Sequence, residues 1–163
     1  MGKLVTGIIS TVLWIIVATV MWYNFKSNCD DYLKLAGDAP SIEKADKFLG
    51  RALNYMESND YTSGNSAIIF KTPDCDIGIW YEQIKGAKAT TEAILQRIEM
   101  GENVTQLEKD NALMKIREVL LDNSSDGTKV TTPDWISMYP LQLVMALWLL
   151  GTIALFIWFW LTD

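Results

Sequence analysis

The chain has 163 residues, with 14 basic and 20 acidic side chains, a net charge of −6 and no histidine. A net negative charge argues against nucleic acid as a partner, because phosphates attract lysine and arginine. The lack of histidine removes the commonest general base and metal ligand. No phosphate loop, dinucleotide fingerprint or zinc-binding spacing is present, so we expect no cofactor and no enzymatic activity.

Two uncharged apolar runs lie near the two ends of the chain, 20 residues from Leu4 to Tyr23 and 21 residues from Leu141 to Leu161. A helix rises about 1.5 Å per residue, so each run would extend for about 30 Å, the thickness of a bilayer core. Between them lie 13 of the basic and 19 of the acidic residues. The sequence therefore predicts an all-α membrane protein. It would comprise an N-terminal signal anchor at 1–23, an extramembrane helical domain at 24–140, and a C-terminal transmembrane helix with a minimal tail at 141–163.

The orientation of the two spans follows from their flanking residues. The first run is longer than the apolar part of a cleaved signal peptide, and no Ala-x-Ala-like site follows it. Lys3 is the only basic side chain before the first span, and a long acidic loop can be translocated. We therefore expect a two-pass protein of the plasma (inner) membrane, with both termini cytoplasmic and the central domain periplasmic or extracellular. Aromatic residues of the kind found at membrane interfaces lie near the span ends: Trp22, Tyr23, Trp135, Tyr139, Trp158 and Trp160.

Capping residues and apolar periodicity predict the helices of the central domain. The first helix should continue past the membrane to about Leu35 and end at Gly37. Three more helices are expected at about 42–58, 77–100 and 105–121, forming a helical-hairpin pair or a four-helix bundle. Their predicted capping residues are Ser41 for the second helix, Asp76 for the third, and Asn103 or Thr105 for the fourth. The short apolar run at 67–70 could be a strand or a plug over the end of the bundle. The apolar face of the fourth helix is assigned to Leu107, Leu113, Ile116, Val119 and Leu120.

The third predicted helix carries apolar or small residues at alternating spacings of four and three. These residues are Trp80, Ile84, Ala87, Thr91, Ile94 and Ile98. Such a heptad pattern is typical of a helix–helix interface. One interpretation is a stripe that binds a partner or a second copy of the chain. The other is that the same residues form the core of this chain's own bundle, as short heptad seams in compact domains usually do.

The segment that follows the fourth helix resembles the start of a calcium loop. Asp122, Ser124 and Asp126 alternate before Gly127, a pattern of oxygen ligands and a turn that suits a hard cation. The twelfth position of such a loop is Pro133, where a bidentate glutamate belongs. The motif is therefore a weak metal candidate, and a turn that ends the helix is the alternative.

Two other groups of residues bear on the structure rather than on chemistry. Cys29 and Cys75 are the only cysteines, and a disulfide between them would close a 47-residue loop. Such a bond would contribute about 3–4 kcal/mol in an oxidising compartment, whereas two free thiols are the alternative. In the first span, Gly7, Thr11 and Ala18 form a face of small residues, which allows close packing of another membrane helix.

Three functional hypotheses fit these features. The first is a non-enzymatic two-pass membrane protein whose external helical domain mediates protein interaction, as an accessory or scaffolding subunit. Its partners would be the lipid bilayer, other membrane or exported proteins, and a second copy in a homo-oligomer. The second is a sensor-like ligand-binding input module that signals through partner membrane proteins. The third is a small lysis or immunity membrane protein.

Overall fold

A computed structural model describes residues 2–124 and 127–162. Its regular secondary structure is helical apart from one short hairpin. The chain opens with helix α1, Gly2–Phe25, passes through one π-helical turn at Lys26–Asp30, and continues as helix α2, Asp31–Gly37. The prediction that the first helix continues to about Leu35 is therefore confirmed. The rod from Leu4 to Gly37 is long and apolar enough to cross a membrane.

Three further helices follow, and the predicted capping residues begin each of them. Helix α3 is Ile42–Ser58, and its N-cap Ser41 accepts a hydrogen bond from the backbone of Lys44. Helix α4 is Ile77–Glu99, where the Asp76 carboxylate accepts from the backbone N–H of Ile79 at 3.0 Å. Helix α5 is Gln106–Leu120, which Thr105 and Glu108 begin with a reciprocal capping box. Each side-chain cap satisfies backbone donors that the first helical turn leaves without partners.

Helices α2 to α5 pack around one apolar core. Helix α3 contacts both α2 and α4, and α5 contacts both α2 and α4. The largest fully buried side chains come from all four helices and include Leu33, Leu49, Ile84 and Ile116. Burying a side chain of this size contributes about 1.5–3 kcal/mol, so the domain is held together mainly by this shared core.

A small antiparallel hairpin follows α5, where the sequence predicted only a turn. Strand β1 is Leu121–Ser124 and strand β2 is Gly127–Val130, and they pair in a two-stranded sheet. Leu121 is buried at the start of β1, and Val130 opposite it packs against the core. The hairpin is thus held to the bundle by the apolar side chains at its base.

The apolar run at 67–70 is neither a strand nor a plug, so that prediction is wrong. The segment is irregular, and the side chains of Ile69 and Phe70 are 78% and 82% exposed. It is anchored at its two ends, because the backbone N–H of Ser66 donates to the carbonyl of Cys75 and Asn65 forms an isolated bridge with Asp76. The run therefore projects outward from the domain.

Helix α6, Gln142–Thr162, returns alongside α1. The indole of Trp14 donates to the carbonyl of Met145 at 2.9 Å, and the indole of Trp148 donates to the hydroxyl of Ser10 at 3.0 Å. Within the described side chains, the apolar stretch of α6 is Gln142–Trp158, shorter than the first. The second membrane span consequently stays a prediction.

Candidate functional site

A cleft of about 490 Å³ opens between the 66–70 segment and the two long apolar helices. We call it the junction cleft, because it lies where α1 and α6 meet the helical domain. Its walls are mostly apolar and consist of Trp14, Ser66, Ala67, Ile68, Ile69, Phe70, Cys75, Asp134, Trp135, Met138, Gln142, Met145, Ala146 and Leu149. Its volume falls within the range of about 300–1,000 Å³ that is usual for small-molecule sites.

Few polar groups line the junction cleft, and Gln142 is the least satisfied of them. Its amide nitrogen donates to the carbonyl of Asn65 at 3.2 Å, whereas its buried Oε1 has no hydrogen-bond partner among the described residues. The hydroxyl of Ser66 is already used in a bond to the carbonyl of Cys75. A buried acceptor without a donor costs about 1–3 kcal/mol, so the Gln142 amide is destabilising as it stands.

Trp135 lies at the rim of the junction cleft in an unfavourable backbone conformation. Its φ of 62° is left-handed, which is rare for a bulky side chain, and its indole is 68% exposed. Such strain is found mainly at ligand clamps and other functional sites. In the described structure, burial of the indole does not compensate for this strain.

The heptad seam of the third predicted helix lies inside the chain, so its interpretation as a partner-binding stripe is wrong. Five of its residues, Trp80, Ile84, Ala87, Thr91 and Ile94, are buried, and Ile98 packs against a small cluster formed with Ile42 and Ala112. Helix α4 contacts α3 and α5 of the same chain through this surface. The second interpretation, a core seam, is the one that the structure supports.

Thr91 provides a polar connection in this seam. Its hydroxyl donates to the Asp46 carboxylate of α3 at 2.6 Å, and the Lys88 ammonium lies 2.6 Å from the same carboxylate oxygen. Burial alone would lower the pKa of Lys88, but the hydrogen bonds to Asp46 and Glu92 outweigh it and raise that pKa. All members of the cluster are satisfied by one another, so it ties α3 to α4 and offers no free catalytic group.

The structure places the described residues of the candidate calcium loop in the hairpin. Asp122 and Ser124 lie in β1, where Asp122 is paired across the hairpin with Lys129 instead of curving around an ion. Asp126 lies outside the described residues. Within the described part of the chain, no three His, Cys, Asp or Glu side chains are grouped closely enough to hold a metal ion.

Of the two alternatives for the cysteines, the structure has the second, because Cys29 and Cys75 are both free thiols. Cys29 lies in the π-helical turn with no exposed surface, packed within the main core. Cys75 lies on the wall of the junction cleft and accepts a hydrogen bond from the Thr72 hydroxyl at 3.4 Å. The two side chains therefore occupy different environments, one in the core and the other at the cleft.

The predicted small-residue face of the first span does contact another helix. Gly7 is buried, and a Cβ atom placed on it would lie 3.3 Å from the Phe156 ring of α6. Thr11 bonds back to the carbonyl of Gly7 at 2.9 Å, and both Thr11 and Ala18 are half-buried. The face also includes Ser10 and Trp14, which the sequence analysis missed although both share the helical spacing of Gly7.

A second exposed apolar surface lies on α5, on the side away from the core. Leu107 and Met114 are 69% and 60% exposed, while Ala112 and Ile116 on the other side are buried. Leu107 was assigned to the core face, and that assignment is wrong. We call Leu107 and Met114, which lie seven residues apart in α5, the distal surface.

Charged residues next to the distal surface are engaged with one another. The Arg97 guanidinium lies 2.7 Å from the Glu102 carboxylate and 3.4 Å from that of Glu108. Hydrogen bonds from the backbone and hydroxyl of Thr105, followed by the Arg97 charge, lower the pKa of Glu108. These ion-paired groups form a polar border next to Leu107, which precedes Glu108 in α5.

Outside both surfaces, the Tyr81 hydroxyl donates to the Glu57 carboxylate at 2.8 Å, and this hydrogen bond raises the pKa of Tyr81. No protein-family model, no curated protein and no solved structure matches this chain.

Proposed function

We propose that this chain is a non-enzymatic two-pass membrane protein of the plasma (inner) membrane, with both termini cytoplasmic. Its external helical domain binds a partner protein through the distal surface, and the chain acts as an accessory or scaffolding subunit. The partner is another membrane or exported protein, because the domain is held outside next to the bilayer.

The two long apolar helices support the membrane placement. Their outward faces carry exposed large apolar side chains such as Ile15, Ile16, Val144 and Leu147. Several of their polar side chains are satisfied internally, since Thr19 bonds to the carbonyl of Ile15 and the indoles of Trp14 and Trp148 bond across to the neighbouring helix. Internal satisfaction of polar groups is what a lipid environment requires.

The single observation that carries the interaction proposal is the exposure of Leu107 and Met114 on one face of α5. Residues seven apart lie on the same side of a helix, so the two side chains form one stripe. Methionine and leucine surrounded by charged residues resemble the apolar centre and polar border of a protein interface. The Arg97, Glu102 and Glu108 cluster supplies that border.

Site-specific photo-crosslinking in intact membranes tests this proposal. A photoreactive amino acid replaces Leu107 in one full-length variant, and in the control it replaces Ile79, which is 49% exposed at the start of α4. We expect a discrete adduct from position 107 and none from position 79. A Met114→Glu substitution should abolish the adduct, because it places a charge in the stripe.

The mass of the adduct identifies the partner. An adduct of twice the chain mass indicates a homo-oligomer, and any other discrete mass indicates a different subunit. Equal, diffuse labelling from positions 107 and 79 would contradict the proposal.

A further inference from the structure

We infer that the junction cleft binds one acyl chain of a bilayer lipid whose head group carries an ammonium donor. This inference rests on the proposed membrane placement of α1 and α6. The cleft would then open at the level of the outer leaflet, where lipid tails and head groups are both within reach.

The shape and walls of the cleft suit an acyl chain. One side is formed by Met145, Ala146 and Leu149 of α6 together with Trp14 of α1, all within the apolar helices. The other side is formed by the 66–70 segment, in which the side chains of Ile68, Ile69 and Phe70 are exposed. A lipid chain between these two sides would cover apolar surface that the fold itself leaves exposed, which is the driving force for binding.

The polar groups of the cleft select the chemistry of the head group. The buried Gln142 Oε1 lacks a donor among the described residues, and Asp134, an exposed acidic residue, also lines the cleft. Both groups accept hydrogen bonds, and among the described lining residues there is no lysine or arginine to neutralise an anionic head group. An ammonium group supplies both the donors and the complementary charge.

Trp135 completes the site at its rim. Its strained backbone holds an exposed indole beside the cleft opening, at a level where tryptophan is favoured in membranes. A lipid glycerol region lying against this indole would give the ring the contacts that it lacks in the described chain.

Photoactivatable lipids test the inference on the full-length protein in phosphatidylcholine nanodiscs. Two probes carry the same diazirine acyl chain, one on phosphatidylethanolamine and the other on phosphatidylcholine, whose trimethylated nitrogen has no N–H donor. We expect the ethanolamine probe to label the peptides that contain residues 66–70 and 142–149 about threefold more than the choline probe, as one additional hydrogen bond would give.

Two substitutions separate the tail site from the head-group contact. Ala146→Trp fills the cleft and should abolish its labelling, whereas Ala154→Trp, on an exposed position of the same helix, should leave it unchanged. Gln142→Leu should reduce the ethanolamine-to-choline ratio towards one. Gln83→Leu, an exposed glutamine of α4, should preserve the ratio.

Labelling of Ile15 and Ile16 on the outward face of α1 reports membrane insertion independently of the cleft. Suppose that Ile15 and Ile16 are labelled, but that both probes label the cleft equally and no substitution changes this labelling. That result would overturn the lipid site and leave the proposed function standing. Absence of labelling at Ile15 and Ile16 would overturn the membrane placement itself, and this inference with it.

Discussion

At the residue scale, the side chain that packs against position 37 determines that this residue is glycine. It is the last residue of α2 and is buried, and a Cβ atom placed on it would lie 2.7 Å from Cγ and Cδ1 of Leu121. Leu121 begins β1 and is itself buried. Glycine is therefore required here for the close approach of the hairpin to the helix, in addition to its place at the end of the helix.

We predict that Gly37→Ala lowers the free energy of unfolding by up to about 2 kcal/mol. Overpacking costs about 1–3 kcal/mol, and the higher helix propensity of alanine offsets about 1 kcal/mol of that cost. The matched control is Gly86→Ala in α4, where no described atom lies within 4 Å of the added Cβ. The control should be stabilised by about 0.5–1 kcal/mol. Denaturant unfolding in one detergent, followed by circular dichroism, measures both changes, and shifts of the same sign would contradict this account of Gly37.

At the scale of elements, α1 and α6 are joined by close contact on one side only. Gly7 lies against Phe156. The indoles of Trp14 and Trp148 form hydrogen bonds between the two helices at other positions along them. Small residues let helix backbones approach in a lipid environment, where the hydrophobic effect does not drive helices together. The association of these two helices therefore depends on side-chain fit and on the two indole donors.

We predict that Gly7→Ile separates α1 from α6 and lowers the thermal midpoint, because the new side chain collides with the Phe156 ring. Overpacking of this kind costs about 1–3 kcal/mol. Gly151→Ile introduces the same side chain on α6 at an exposed position with no described atom within 4 Å of its Cβ, so its midpoint should be unchanged. Near-ultraviolet circular dichroism in detergent follows the packing of the tryptophans. An equal loss of stability in both variants would rule out a specific contact at Gly7.

At the scale of the whole molecule, both long helices enter the domain from the same side. Helix α1 continues through the π-helical turn into α2, so the rod carries the chain directly from the apolar segment into the bundle. The segment between Pro133 and the start of α6 returns the chain towards the apolar helices. Within this segment, the Tyr139 hydroxyl donates a hydrogen bond to the carbonyl of Ser63. The proposed topology consequently places the helical domain and both termini on opposite sides of the bilayer.

Thiol labelling in intact cells measures this topology. In a Cys75→Ser background, we predict that a membrane-impermeant maleimide labels Lys47→Cys, an exposed position of α3, without prior reduction. Lys3→Cys, before the first span, should be labelled only after the membrane is permeabilised. The native Cys29 has no exposed surface and should stay unlabelled in both variants, which makes it an internal control. The reverse pattern would place the domain in the cytosol.

The sequence predicted the features that depend on neighbouring residues. Ser41, Asp76 and Thr105 begin the helices as their side-chain chemistry requires, because a cap acts within its own first turn. The extension of the first helix as far as α2 follows in the same way from continuous helical periodicity. The length and composition of the first apolar run likewise predicted a helix able to cross a membrane.

The features that the sequence left open or got wrong depend on contacts between distant residues. Periodicity predicted a seam in α4 but could not decide whether this chain or another covers it, and it placed Leu107 on the wrong face of α5. The free state of Cys29 and the packing role of Gly37 were decided by the elements that fold against them. The junction cleft is formed by segments up to 135 residues apart, from Trp14 to Leu149, and only the tertiary structure brings such segments together.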